Sequence, residues 1–168
     1  MSVYTPEPAD QSTPAIEWAC DKCHEVVSAV GTAIVGKHEQ LELILTTLVS
    51  GGHLLLEDVP GVAKTLAAQA AAQALGLDFR RIQFVPDLLP GDIMGSFIYD
   101  SRADSFRFRR GPIFTNLILA DEINRGTPKT QSALLEAMQE QQVTVEGQSF
   151  TLDKPFMVIA TQNPLEFE

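Results

Sequence analysis

The spacing of hydrophobic residues predicts two helices in the first third of the chain. Thr13 is a favourable N-cap and Pro14 suits the first helical position, so a helix is predicted to begin there. Its apolar stripe recurs every three or four residues: Ile16, Cys20, Cys23, Val27 and Val30. A second helix is predicted after Gly36 and ends at the glycine pair 51–52. Its apolar face comprises Leu41, Ile44, Leu45 and Leu48.

From His53 onward, short apolar runs predict strands that are buried on both faces. There are four of them: His53 to Glu57, Phe79 to Phe84, Leu117 to Ala120 and Phe156 to Ala160. A Pro60-Gly61 turn and an alanine-rich helix from Ala63 to Leu75 follow the first run. Strands that alternate with helices favour a parallel sheet with crossover connections. The predicted fold class is therefore α/β.

Two segments interrupt this alternation and predict inserted β-hairpins. The first covers residues 97–109 around a polar turn at 100–105, and the second covers residues 143–152 around Glu146-Gly147. Aromatic and basic residues alternate in the first hairpin. Arg107, Arg109 and Arg110 could form a basic strip, but we expect the aromatic residues between them to face the protein rather than a nucleic-acid base. Between the hairpins, a helix from Pro128 to Glu140 with Thr127 as its cap is predicted to bury Leu134, Leu135 and Met138.

Composition narrows the classes of function. The 168 residues include 12 Lys and Arg and 22 Asp and Glu, which gives a net charge of −10. An acidic surface repels a phosphate backbone, so we expect no nucleic-acid partner. No apolar run is long enough to span a membrane, and the first 21 residues contain no Lys or Arg. We therefore expect a cytoplasmic protein, with a disordered lead-in at 1–13 and one domain at 14–168.

The segment Cys20-Asp21-Lys22-Cys23-His24 matches the pattern of c-type haem attachment. The same cysteines lie on the apolar stripe of the first predicted helix, where a free cysteine behaves as a small hydrophobic residue. We favour the packing role, and a haem electron carrier stays the alternative.

A candidate phosphate-binding loop lies between the first predicted strand and the alanine-rich helix. Such a loop presents backbone N–H groups and a helix N-terminus to phosphates, with a Lys on the β- and γ-phosphates and a Ser or Thr hydroxyl on Mg²⁺. Lys64 and Thr65 fit the last two roles. The strict pattern has glycine where this chain has Asp58 and Ala63. The candidate nucleotide-binding residues are Asp58, Val59, Pro60, Gly61, Val62, Ala63, Lys64 and Thr65.

Polar residues also follow the third and fourth predicted strands. Asp121 and Glu122 come at the carboxyl end of a buried strand, where open α/β sheets bind ligands. In a nucleotide site Asp121 would support Mg²⁺, with Thr65, and Glu122 would activate the attacking water. Asn163 would position that water or the γ-phosphate, although Asn163-Pro164 is also an ordinary turn opener.

These motifs, in this order, resemble the MoxR branch of the AAA+ ATPases from about Val35 to the last residue. The matching segments are Val59-Pro60-Gly61, Ala63-Lys64-Thr65, Gly111-Pro112-Ile113-Phe114, Asp121 to Gly126, Gln131 to Met138 and Ile159 to Pro164. The resemblance implies a P-loop NTPase fold in which residues 97–109 form the helix-2 insert and residues 143–152 form the hairpin before sensor 1. It also implies that Val35 and Gly36 help to enclose adenine and that Asn163 is sensor 1.

The resemblance further implies Mg²⁺ and ATP as ligands, ATP hydrolysis, ring assembly and chaperone-like remodelling of client proteins, beside von Willebrand factor A partners. The family pattern continues beyond sensor 1 with an arginine finger, a fifth strand and a helical lid. We therefore expect this chain to hold the amino-terminal part of the module. A nucleotide-binding or assembly module without turnover is the alternative. Two interpretations of Arg125 stay open: it points toward a neighbouring subunit, or it is an ordinary solvated loop residue.

Overall fold

A computed structural model describes residues 13–33, 38–57 and 62–162. These residues form five α-helices, one 3-10 helix at Ile123–Arg125 and eight strands. The helices are α1 (Thr13–Ala33), α2 (His38–Val49), α3 (Val62–Ala74), α4 (Pro90–Met94) and α5 (Pro128–Glu140). The strands are β1 (Leu54–Glu57), β2 (Phe79–Gln83), β3 (Gly95–Asp100), β4 (Ser105–Arg110), β5 (Leu117–Asp121), β6 (Gln142–Val145), β7 (Gln148–Thr151) and β8 (Met157–Gln162).

The core is a parallel sheet with the strand order β1-β8-β5-β2. The prediction of an α/β fold with a parallel sheet is confirmed. The central strands β5 and β8 are buried, as their apolar runs predict. The expectation that all four strands are buried on both faces is wrong for β1 and β2, which are edge strands within the described part of the chain. Leu55, Arg80 and Arg81 are exposed there.

Each face of the sheet has its own apolar cluster. On one face, Leu117 and Leu119 of β5 pack with Leu41 and Ile44 of α2 and with the alanines of α3. The small side chains allow α3 to lie close to the sheet. On the other face, Ile118 of β5 packs with residues of α4, α5 and the second hairpin. The molecule is therefore a three-layer α/β/α arrangement, with helices on both sides of the sheet.

Both predicted hairpins are present, as β3–β4 and β6–β7. Phe108 of the first stacks on Phe150 of the second, with ring centroids 4.0 Å apart, and also contacts Phe114. The aromatic residues therefore face the protein at the base of the first hairpin. At its tip, Tyr99 and Phe106 contact each other and stay exposed.

Two further burial predictions need correction. Leu134 of α5 is fully buried and Met138 is partly buried, but Leu135 is 49% exposed and lines an open groove beside Leu54 and Leu55 of the edge strand β1. In α1, Val27 is buried and Cys23 is partly buried, whereas Cys20 is exposed. The apolar stripe therefore does not bury both sulfurs. Among the helices that the structure describes, none is long and apolar enough to cross a membrane.

Gly111 begins the motif that precedes β5 and lies where two backbone segments meet. Its N–H donates to the carbonyl of Met94, and a Cβ at this position would lie 2.2 Å from the carbonyl oxygen of Ile93. A backbone neighbour cannot swing aside as a flexible side chain can. The motif thus requires glycine for reasons of space.

Replacing Gly111 with alanine is expected to lower the free energy of unfolding by roughly 1–3 kcal/mol, the usual cost of an overpacked position. This loss in the free energy of unfolding is measured by urea unfolding, with circular dichroism as the signal. The matched control is Gly91→Ala in α4, where an added Cβ meets nothing within 4 Å. That variant should change stability by less than about 1 kcal/mol. Equal stability of the two variants would contradict the steric argument.

Candidate nucleotide-binding site

The ends of three parallel strands bring the candidate residues to one edge of the sheet. Glu57, the last residue of β1, is in register with Gln162 of β8, and their side chains form a hydrogen bond. Ala120 of β5 is in register with Ala160 of β8. Because these strands are parallel, β1, β8 and β5 all end at the same edge, where α/β sheets bind ligands.

The predicted phosphate-binding loop connects β1 to α3. Val62, Ala63 and Lys64 are the first residues of α3, and Thr65 follows them and is partly buried. The first turn of α3 contains no acidic residue, which leaves the positive end of the helix dipole without an opposing carboxylate on its own helix. The remaining candidates lie outside the described residues: Asp58, Val59, Pro60, Gly61, Val35, Gly36 and Asn163.

Asp121 lies on the face of the sheet that α3 covers. It is the last residue of β5, and Leu117 and Leu119 of this strand pack against α2 and α3. Side chains alternate along a strand, so Asp121 shares the face of those two leucines. Its side chain is 21% exposed. A carboxylate is therefore held at the carboxyl edge, on the α3 side of the sheet.

Thr161 of β8 fixes both members of the acidic pair. Its buried hydroxyl donates to Asp121 Oδ1 at 2.5 Å and accepts from the backbone N–H of Glu122 at 3.0 Å. A hydroxyl group can donate one hydrogen bond and also accept hydrogen bonds, and the Thr161 hydroxyl does both here. In the sequence, Thr161 is recognisable only as part of the Ile159 to Pro164 motif, which predicts no role for its hydroxyl.

Two residues of β2 complete the site, and sequence reasoning missed both. Arg81 donates to Asp121 Oδ2 from Nη2 at 2.5 Å and from Nε at 3.1 Å, and its Nη2 also donates to Gln83 Oε1. The Gln83 amide in turn donates to Glu122 Oε2 at 2.9 Å. The spacing of Arg81 and Gln83, on one face near the end of a predicted strand, is the signal that could have found them.

The chain turns sharply at Glu122, which adopts the left-handed conformation (φ 55°, ψ 49°). The Oε2 atom of Glu122 also accepts from Arg125 Nη1 at 3.1 Å. Gln131 of α5 donates to the carbonyls of Ile123 and Gly126 and so holds the 3-10 turn that follows. Arg125 is thus an ion-pair partner of Glu122, a role that neither sequence interpretation included.

These residues fit a nucleotide bound with Mg²⁺. Carboxylate and hydroxyl oxygens are the ligands that Mg²⁺ prefers, and Asp121 and Thr65 supply both kinds. A helix N-terminus at the same edge suits phosphate. Together the parallel sheet, the helix α3 that follows β1 and the acidic pair at the end of β5 define the fold class of the P-loop NTPases.

Comparison with known proteins gives the family. The family model described as "ATPase family associated with various cellular activities (AAA)" matches residues 53–168, and the chain belongs to this family. The Bacillus subtilis protein YeaC is 54% identical over 144 residues, which cover 86% of this chain and 45% of that protein. Chaperone MoxR1 of Mycobacterium tuberculosis is 46% identical over 169 residues, which cover 98% of this chain and 45% of that protein.

A solved structure supports the fold. The crystal structure of a Cytophaga hutchinsonii protein described as an ATPase is 47% identical, with a TM-score of 0.81 over 95% of this chain and 49% of that one. The predicted resemblance to MoxR-type AAA+ proteins is therefore confirmed. The chain spans about half the length of the relatives that it matches.

Proposed function

We propose that this chain binds ATP with Mg²⁺ and contributes to ATP hydrolysis. The observation that carries the proposal is the position of Asp121 and Glu122 at the carboxyl end of β5, at the same edge as the end of β1 and on the side of α3. Lys64 and the first turn of α3 would bind the phosphates. Thr65 and Asp121 would hold Mg²⁺, which neutralises phosphate charge when it is bound.

Glu122 would act as the general base for the attacking water. Its backbone is fixed by Thr161, and its carboxylate is reached by Gln83 and Arg125. Hydrogen bonds at this carboxylate orient it, and a general base must be placed within reach of the water. Asn163 follows β8 directly in sequence and would orient the same water.

A binding or assembly module without turnover is the second candidate. The observation that favours it is that Glu122 is held by Arg125 and Gln83, so its carboxylate is engaged by the protein itself. An arginine finger, which can raise phosphoryl-transfer rates by several orders of magnitude, is not assigned to any residue here. Phosphate release decides between the two candidates.

The name of the M. tuberculosis relative, Chaperone MoxR1, supports a wider role for the protein. We propose that it assembles as a ring and remodels or matures client proteins, together with partners that contain von Willebrand factor A domains. A cross-linking and mass measurement with ATP tests the ring. A species that stays monomeric under these conditions contradicts it.

ATP titration in excess Mg²⁺ and in EDTA tests the site. We expect Mg²⁺ to tighten ATP binding by wild type, and Asp121→Asn to reduce that gain about 10- to 100-fold, since it weakens a metal ligand. Asp153→Asn, which alters an exposed loop carboxylate, is the matched control. It should show the same increase in ATP affinity with Mg²⁺ as the wild type. A site that binds no ATP, or an Asp121→Asn variant with an unaltered gain, overturns the assignment.

The haem alternative is tested by absorption. A protein expressed with haem-attachment machinery that shows no Soret band carries no covalent haem on Cys20 and Cys23.

A further inference from the structure

Arg81 reaches Asp121 from the neighbouring strand. Both donors of this contact, Nε and Nη2, converge on a single oxygen, Oδ2. The other oxygen, Oδ1, accepts the hydroxyl of Thr161. Each oxygen of this carboxylate therefore has a hydrogen-bond donor from another strand.

The ion pair stabilises the fold only weakly. The Arg81 side chain is 47% exposed and that of Asp121 is 21% exposed, so water screens their attraction. Arg81 is also on an edge strand, and its neighbour Arg80 points to the other face. Two guanidinium donors converge on a carboxylate that faces α3 and belongs to the candidate site. A role at that site explains this contact better than a contribution to stability does.

The two donors differ in how they tolerate a cation. The Thr161 hydroxyl is neutral and can rotate, so it can stay beside a carboxylate that binds Mg²⁺. A guanidinium carries a fixed positive charge and has no acceptor atom. It therefore repels Mg²⁺ at short range and occupies an oxygen that the metal would use.

We propose that Arg81 is a positioning residue that holds Asp121 in the nucleotide-free protein and competes with Mg²⁺ for it. The Arg81 guanidinium would leave Oδ2 when Mg²⁺ and ATP are bound. Arg81 thus lowers the gain in ATP affinity that Mg²⁺ provides, and Mg²⁺ does not displace it in the absence of ATP. This inference rests on the proposed function.

The test measures the ratio of the ATP dissociation constants in EDTA and in excess Mg²⁺. Arg81→Gln should raise this ratio about tenfold over wild type, a typical coupling between two ligands or groups. Arg81→Lys keeps the charge and should stay within about threefold of wild type. Arg80→Gln removes a neighbouring exposed charge on the same strand and should leave the ratio unchanged. A residue with a purely structural role would lower the melting temperature without changing the ratio.

A second measurement requires no nucleotide. Thermal unfolding of Arg81→Gln, Asp121→Asn and the double variant should give non-additive shifts, because the two side chains form one contact. Additive shifts, or an Arg81→Gln ratio equal to or below that of wild type, overturn the inference. If the protein binds no ATP while the unfolding shifts are non-additive, the proposed function fails, and with it the competition, while the contact itself stands.

Discussion

Replacing Lys64 with alanine is expected to abolish ATP binding at concentrations that saturate the wild type. Lys64 lies in the first turn of α3, which begins at the edge where β1 and β5 end. An ammonium group in this position supplies a full positive charge to the β- and γ-phosphates. Removing one partner from such a desolvated charge pair costs about 2–5 kcal/mol, which corresponds to a dissociation constant roughly 30 to 5,000 times higher.

Isothermal titration with ATP measures this loss. Lys129→Ala is the matched control, because Lys129 is an exposed lysine at the start of another helix, α5. It removes the same charge from the protein and should bind ATP as the wild type does. If Lys64→Ala and Lys129→Ala bind ATP equally well, the phosphates do not lie at the start of α3.

The sequence predicts the central part of the sheet well, because β5 and β8 are continuous apolar runs that only a buried strand explains. It predicts β1 and β2 less well. A short apolar run such as Leu54-Leu55-Leu56 has the same appearance in a central strand and in an edge strand, and its position depends on strand order. Leu55 is 52% exposed because β1 lies at the edge of the described sheet.

The acidic pair was predictable and the residues that hold it were not. Asp121 and Glu122 are adjacent in the chain and end a recognisable strand, so local pattern suffices. Arg81 and Thr161 are each 40 residues away from Asp121 in sequence, and only the parallel register of three strands brings them together. The left-handed conformation of Glu122 is equally invisible in the sequence, because it depends on the turn that Gln131 supports.

Replacing Glu122 with glutamine is expected to lower the rate of phosphate release about 10²- to 10⁴-fold, the usual contribution of a general base. The ATP dissociation constant should stay within about threefold of wild type, since this side chain acts on water and not on the bound phosphates. Glutamine has the same size and keeps an oxygen that can accept from Gln83 and Arg125, so the turn is retained. What it loses is the ability to take a proton. Single-turnover phosphate release measures the effect.

The control is Glu140→Gln, at the exposed end of α5, which removes the same charge at a distance from the site. It should release phosphate at the wild-type rate.

Three outcomes separate the possible roles of Glu122. Slow release with unchanged ATP affinity assigns the general base. Loss of ATP affinity in Glu122→Gln shows that the carboxylate supports the nucleotide or its metal, in which case the roles of Asp121 and Glu122 have been exchanged. If wild type and variant both bind ATP and neither releases phosphate, the chain is a binding module.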